Sequence, residues 1–302
     1  MNRRDVIVGG LTMAAAATSS GSAGAAGTPA PLITRRIPSS GEEIPALGLG
    51  TSGPFEVGSS PSERAPLKEV LEAFFAGGGK LIDTSPMYST AEAVLGDIMT
   101  PALRERAFIA TKVWTRGQRE GVQQMTKSGE LMKRPKLDLI QVHNLQDLDT
   151  QLKTLRAWKG EGRVRYIGIT HYTVGSQSDL AKVIEREKID FVQLNYSATT
   201  RNAEQRLLPL AADKGVAVLV NRPFEDGGMF SAVRGKPMPA WAAEIDATSW
   251  GQVFLKYVLA HPAVTAAIPA TGKVRHLEDN LAGARGRLPD AKLKAEIIRV
   301  LS

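Results

Sequence analysis

The sequence predicts a single (β/α)8 barrel of the α/β class, and three observations predict it. Short apolar runs alternate eight times with segments of helical hydrophobic spacing over about 250 residues, the size of such a barrel. The runs are continuously apolar, as strands buried on both faces of a parallel barrel must be. Three of them stop at, or just before, a titratable side chain: KLIDTSPMY (80–88), AFIATK (107–112) and LDLIQVH (137–143). In this architecture the carboxyl ends of the strands form the catalytic face. Asp83, Tyr88, Lys112 and His143 are therefore expected on one rim.

The elements follow in order. Residues 33–37 and 42–44 flank a Ser-Ser-Gly turn and predict a lid hairpin beneath the barrel. Residues 47–50 are the first barrel strand. Residues 62–77 place Leu67, Val70, Leu71, Phe74 and Phe75 at helical spacing. Strand two covers 81–83 and helix two 90–99, with Thr90 as its N-cap. Strands at 108–112, 137–143, 164–170, 191–195, 216–221 and 264–269 alternate with helical stretches at 117–134, 150–159, 176–187, 201–214, 250–261 and 275–283. A Gly- and Pro-rich irregular segment spans 222–239, and 290–301 adds a terminal helix. No second domain is predicted within residues 32–302.

Residues 1–31 differ from the rest. Arg3 and Arg4 precede an apolar run from Val6 to Ala17, and Ala, Gly, Ser and Thr follow as far as Pro29 and Pro31. Charge, short apolar run and small-residue stretch are the three parts of an export signal. The run is too short to span a bilayer as a helix. The paired arginines point to the twin-arginine export machinery, although Asn2 and Asp5 flank them. Cleavage options lie around Ala23 to Ala26. The expected location is the periplasm or beyond, or the cytoplasm if the signal is not used.

Composition narrows the chemistry. The 302 residues carry a net charge of +7, but the basic residues are interspersed with acidic ones. No basic run interleaves with aromatics, so nucleic acid is not an expected partner. Cysteine is absent, which removes disulfides, thiol catalysis and cysteine metal sites. The four histidines are scattered and predict no metal ligand set. Gly48, Gly50 and Gly53 fit G-x-G-x-x-G, but Pro54, Gly58 and Pro61 follow where a dinucleotide fingerprint must open a helix. A strand-one loop passing close to a ligand, at Gly50 and Thr51, is the better reading.

The rim residues make a proton-donor set. When hydride reduces a carbonyl, charge develops on the oxygen and a positioned acid is needed. A tyrosine of reference pKa about 10 can serve if an ammonium stabilises its phenolate. A carboxylate can hold that ammonium, and an imidazole can orient the carbonyl. Tyr88, Lys112, Asp83 and His143 supply these parts. Phe55, Met87, Trp114 and Phe224, on rim loops, are candidates for an apolar substrate wall. The loop between residues 143 and 150 and the tail beyond 289 are short, which suggests an open site.

DTSPMYS, ATKVW and LDLIQVHN, followed by GRVRYIGIT and FVQLNYS, resemble the aldo-keto reductases from about Leu32 to the end. The resemblance implies a (β/α)8 barrel, a nicotinamide cofactor without metal, and reduction of an aldehyde or ketone to an alcohol, or the reverse. It maps the family's catalytic tetrad onto Asp83, Tyr88, Lys112 and His143. Ser89 departs from the glycine that commonly follows the tyrosine. Thr170, His171 and Gln193 fall at carboxamide-binding positions, and Asn221 replaces an aromatic that often stacks on the nicotinamide. Arg222 and the segment IPATGKVRHLEDN, with Thr271, Gly272, Lys273, Arg275 and His276, match phosphate-binding positions. Asp279 and Asn280 match adenine contacts. Ala270 and His276 replace a Lys and an Arg that often grip the 2′-phosphate, so NADP(H) is favoured and NAD(H) is the alternative. A cofactor-binding regulatory or accessory subunit with little turnover is the competing function.

Overall fold

A computed structural model describes residues 30–301. The export-signal reading of residues 1–31 falls almost wholly outside the described residues. Two short antiparallel strands, β1 (Thr34–Arg36) and β2 (Glu43–Pro45), form the expected hairpin. Eight parallel strands follow: β3 (Leu49–Gly50), β4 (Leu81–Asp83), β5 (Phe108–Val113), β6 (Leu137–His143), β7 (Val164–Thr170), β8 (Phe191–Asn195), β9 (Ala217–Asn221) and β10 (Val264–Ala267). They pair in sequence order. Bridges Leu47–Ala267 and Gly50–Ala270 join the first strand to the last and close the ring.

The closure accounts for the glycines of the first strand. A Cβ on Gly50 would lie 2.6 Å from the Ile268 carbonyl oxygen, and one on Gly48 would strike Leu81 and Ile268. Both glycines permit the seam between the end strands. The chain after Gly50 turns back through a Phe55 N–H to Thr51 carbonyl bond of 3.2 Å, and α1 (Pro61–Ala76) begins only after Gly58. No helix opens on the glycines.

Each strand carries one apolar set inward and another outward, because residues two apart share a face. Leu81, Phe108, Leu139, Tyr166, Phe191 and Leu219 fill the interior, and Ile37 and Ile44 of the hairpin segment join them. Ile82, Ile109, Ile140, Ile167, Val192 and Val218 face the helices in a separate cluster. The inward parity continues upward: Leu81 leads to Asp83, Phe108 to Lys112, Leu139 to Gln141 and His143, Phe191 to Gln193. Apolar side chains thus occupy the lower interior, and polar ones occupy its carboxyl end.

Helices α2 (Ala91–Ile98), α4 (Gln118–Leu131), α5 (Leu148–Gly160), α6 (Gln177–Arg186), α9 (Trp250–Leu259), α10 (Val274–Gly283) and α11 (Ala291–Leu301) lie close to expectation, whereas α7 (Leu207–Asp213) fills only the second half of the predicted 201–214, whose first half holds a single 3₁₀ turn at Asn202–Glu204. Three other details differ. A separate short helix, α3 (Pro101–Arg106), follows α2, started by Thr100 accepting from the Leu103 N–H and by Pro101. Thr90 precedes α2 but does not cap it with its side chain; its hydroxyl donates instead to the Val57 carbonyl at 2.6 Å. The irregular segment after β9 contains a short helix, α8 (Gly228–Ala232). Among the described residues, no helix is long and apolar enough to cross a membrane.

Candidate active site

A cleft of about 990 Å³ opens at the carboxyl ends of the strands. Asp83 ends β4, Lys112 lies near the end of β5, and His143 ends β6, so barrel geometry alone brings them together. Tyr88 arrives by a tight turn, its N–H donating to the Ser85 carbonyl at 3.0 Å. Ser89 then takes a left-handed φ of 44°, a conformation that a glycine adopts without steric cost.

Lys112 is buried beneath the cleft. Its Nζ donates to Asp83 Oδ2 at 2.7 Å and to the Thr84 carbonyl at 2.8 Å. The same ammonium stands 4.7 Å from the centre of the Tyr88 ring. Burial alone would push Lys112 down, but Asp83 and Tyr88 carry it above its ordinary value, so it stays charged. Burial likewise raises Tyr88, and Lys112 opposes that rise without cancelling it. The sequence reading anticipated only the lowering by Lys112; desolvation is the larger effect here.

His143 meets Tyr88 edge-on, with ring centres 6.3 Å apart, and its Nδ1 lies 3.3 Å from Ser85 Oγ. Burial, then the positive charge of Lys112, depresses His143 to about 3. The imidazole is therefore neutral near pH 7, and can donate to or accept from a substrate oxygen without bringing a second charge.

A chain of amides extends the site. Asp83 Oδ1 accepts from Gln193 Nε2 at 2.7 Å and from Gln141 Nε2 at 3.4 Å. Gln193 Oε1 accepts from Thr170 Oγ1 at 3.1 Å and from Asn221 Nδ2 at 3.4 Å. Gln141 was not singled out from the sequence. Its signal is the inward parity it shares with Leu139 and His143.

Most of the other expected residues line the same cleft. Gly50, Thr51, Thr170, Gln193 and Asn221 lie along its floor and near wall, and Arg222, Thr271, His276, Asp279 and Asn280 continue it. Arg222 has a left-handed φ of 50° and pairs with Asp226. Asp279 accepts from Ser249 Oγ and from Gln252 Nε2, each at 2.8 Å. Lys273 precedes α10 and Arg275 lies in its first turn; both are exposed and outside the cleft lining. Gly272 is also outside the lining, and a Cβ there would meet Pro54 and Leu67 at 3.3 Å. His171 is also absent from the lining. Its Nδ1 is 3.2 Å from Thr173 Oγ1 and its Nε2 is 3.1 Å from Ser176 Oγ.

The apolar wall needs one correction. Met87, Trp114 and Phe224 line the cleft, but Phe55 is fully buried in the outer core and faces no substrate. Tyr172 and Phe230 take part in the wall instead, with Asn144 beside His143. Of the five large apolar side chains exposed among the described residues, Met87, Trp114, Tyr172 and Phe230 border this cleft, which marks it as a contact surface.

The profile of the Aldo/keto reductase family matches residues 46–295. The chain belongs to that family. It is an oxidoreductase that reduces carbonyl compounds with a nicotinamide nucleotide. Among curated proteins, it is 26% identical over 257 residues to a methylglyoxal reductase of Escherichia coli K12, covering 83% of this chain and 89% of that protein. It is 25% identical over 230 residues to an NADH-specific methylglyoxal reductase of the same organism, covering 65% and 68%. Among solved structures, a thermostable aldo-keto reductase in complex with the inhibitor epalrestat superposes with a TM-score of 0.75 at 25% identity, covering 89% of this chain and all of that one. An aldo-keto reductase of Klebsiella pneumoniae in complex with NADPH has a TM-score of 0.74 at 24% identity, covering 89% and 94%.

Proposed function

We propose that this aldo-keto reductase reduces an aldehyde or ketone with Tyr88 as the proton donor and NADP(H) as the favoured nucleotide. The observation that carries the reading is the Asp83–Lys112–Tyr88 arrangement, a buried carboxylate–ammonium pair set against a phenol at the cleft floor. The residues present fit a nicotinamide nucleotide. The cleft runs from His143 to Asn280, and along it Asn221 Oδ1 is buried without a hydrogen-bond partner. The bound nucleotide supplies hydride. Tyr88 holds a proton for the forming alkoxide, Lys112 stabilises the phenolate left behind, and Asp83 holds Lys112 in place. Neutral His143 orients the carbonyl oxygen. Trp114, its ring centre 6.4 Å from that of His143, borders the reacting face.

NADP(H) is favoured because Lys273, just before α10, and Arg275, in its first turn, stand next to His276, which lines the cleft. The NADPH complex of the Klebsiella relative supports this reading, and the NADH-specific relative keeps NAD(H) open. Replacing Lys273 and Arg275 together with Ala is expected to raise the NADP(H) dissociation constant by about tenfold or more, with little change for NAD(H). Equal weakening of both nucleotides would count against the assignment.

We also propose export through the twin-arginine route, on the strength of Arg3, Arg4 and the small-residue stretch before Pro29. Fractionation of cells producing wild type and an Arg3→Lys/Arg4→Lys variant tests this. Wild-type protein confined to the cytoplasm with an intact N-terminus would overturn it.

A further inference from the structure

Among the described residues, four acidic side chains are buried: Asp83, Glu92, Asp138 and Asp190. Three are paired with cations, Asp83 with Lys112, Asp138 with Arg134 and Arg165, and Asp190 with Lys159. Glu92 makes no ion pair. Its Oε1 accepts from Thr111 Oγ1 at 2.6 Å and its Oε2 from Ser128 Oγ at 2.9 Å. Burial pushes its carboxyl up, against the two hydroxyls and the charge of Lys112. The rest of the buried face of α2 is Ala91, Val94, Leu95 and Ile98, with Gly96. An apolar residue at position 92 would bury there without desolvating a carboxyl. Stability alone does not account for the acid, but its connections do.

Those connections join the two segments that carry the proton-donor pair. Glu92 stands in the first turn of α2, one turn after Tyr88, and the Ala91 N–H donates to the Tyr88 carbonyl at 2.8 Å. Thr111 precedes Lys112 on β5. Successive strand residues point to opposite faces. Thr111 therefore meets Glu92 on the helix side, while Lys112 enters the barrel beside the Tyr88 ring. Ser128, on α4, holds the other carboxyl oxygen. A Cβ on Gly96 would strike the Leu131 carbonyl, so α2 lies directly against α4. We propose that Glu92 is a positioning residue for proton transfer: it locks the α2 turn to β5 and so sets the distance between the Tyr88 phenol and the Lys112 ammonium. This rests on the reading of Tyr88 as the proton donor.

The test is the pH dependence of benzyl alcohol oxidation by NADP⁺, for wild type, Glu92→Leu, Glu92→Gln and Thr111→Val, each checked for fold by circular dichroism. Besides Lys112, the titratable groups around Tyr88 are Asp83, His143 and Glu56, and all stay in place in these variants. Glu92→Leu removes both bonds. Its phenol should stand farther from the ammonium, so the pH–rate limb moves to higher pH. Its kcat should fall by about tenfold, in line with the cost of misplacing reacting groups, while NADP⁺ affinity holds. Gln has one acceptor and one donor and can still bond both hydroxyls, so Glu92→Gln should restore the wild-type limb. Thr111→Val cuts the link to β5 and should move the limb in the same direction as Glu92→Leu; it carries the test if Glu92→Leu does not fold. A folded Glu92→Leu or Thr111→Val with the wild-type limb and kcat would overturn the proposal. So would a Glu92→Gln limb displaced as far as that of Glu92→Leu, which would mark an effect of charge. Wild-type rates in Tyr88→Phe would instead remove the proton-donor reading, and this assignment with it.

Discussion

At the scale of single residues, the site is built from opposed effects on protonation. Burial raises Tyr88 and Lys112 resists that rise. Removing the ammonium with Lys112→Met should move Tyr88 further up. Alcohol oxidation needs the phenolate, so its pH–rate limb should shift to higher pH, while carbonyl reduction slows across the neutral range by roughly 10²-fold. A pH–rate profile with its limb unmoved would show that the pair is uncoupled. His143 works in the opposite sense. Its folded value of about 3 lies below the ordinary 6.5. Between those values the unfolded chain takes up a proton that the folded chain refuses, so stability falls as pH drops through that window. His143→Asn should reduce the loss of stability between pH 7 and pH 4, read from urea midpoints. An identical loss in the variant would mean that His143 is not the buried neutral base described.

At the scale of elements, strand ends made the site readable. Asp83, Lys112 and His143 stand at or near the carboxyl ends of β4, β5 and β6, and apolar runs that stop at a titratable side chain predict that from the residues alone. Tyr88 was legible only with the motif around it, since a turn residue has no periodicity. The same limit hid Asn144 and Tyr172, which reach the cleft from irregular loops, and Phe230, which reaches it from the short helix α8. Phe55 was misread for that reason: its loop folds inward to the outer core, and an aromatic near Gly and Pro does not reveal which way it points. Gln141 was within reach, because it shares its face with His143. The turn that delivers Tyr88 also offers a test. Ser89 holds φ at 44°, a conformation that disfavours Cβ by about 1 kcal/mol. Ser89→Gly should therefore gain up to about 1 kcal/mol, less the added entropy of an unfolded glycine. Its carbonyl reduction should match wild type. Lower stability in chemical denaturation would show that the Ser89 hydroxyl or Cβ contributes more than the strain it costs.

At the scale of the whole molecule, the barrel separates its tasks by height. The hairpin segment and a ring of apolar side chains fill the lower interior, and the upper interior is polar. The seam between β3 and β10 needs Gly48 and Gly50, which explains a G-x-G that a dinucleotide fingerprint would otherwise claim. The eight-strand alternation was legible throughout because every strand is buried on both faces. The cofactor end was less so, because charge in a sequence does not say which side of a helix turn it occupies: Lys273 and Arg275 fall outside the cleft lining while His276 falls within it. The central claim is that Tyr88 gives the proton in a nucleotide-dependent carbonyl reduction. Its most direct test is a single-turnover measurement of reduced-nicotinamide absorbance after mixing the NADPH-loaded protein with an aldehyde, for wild type and Tyr88→Phe, alongside nucleotide titrations of both. The account predicts prompt oxidation of the nucleotide by wild type, a rate at least about 10²-fold lower for Tyr88→Phe, and equal nucleotide affinity. Equal single-turnover rates for the two proteins would contradict it.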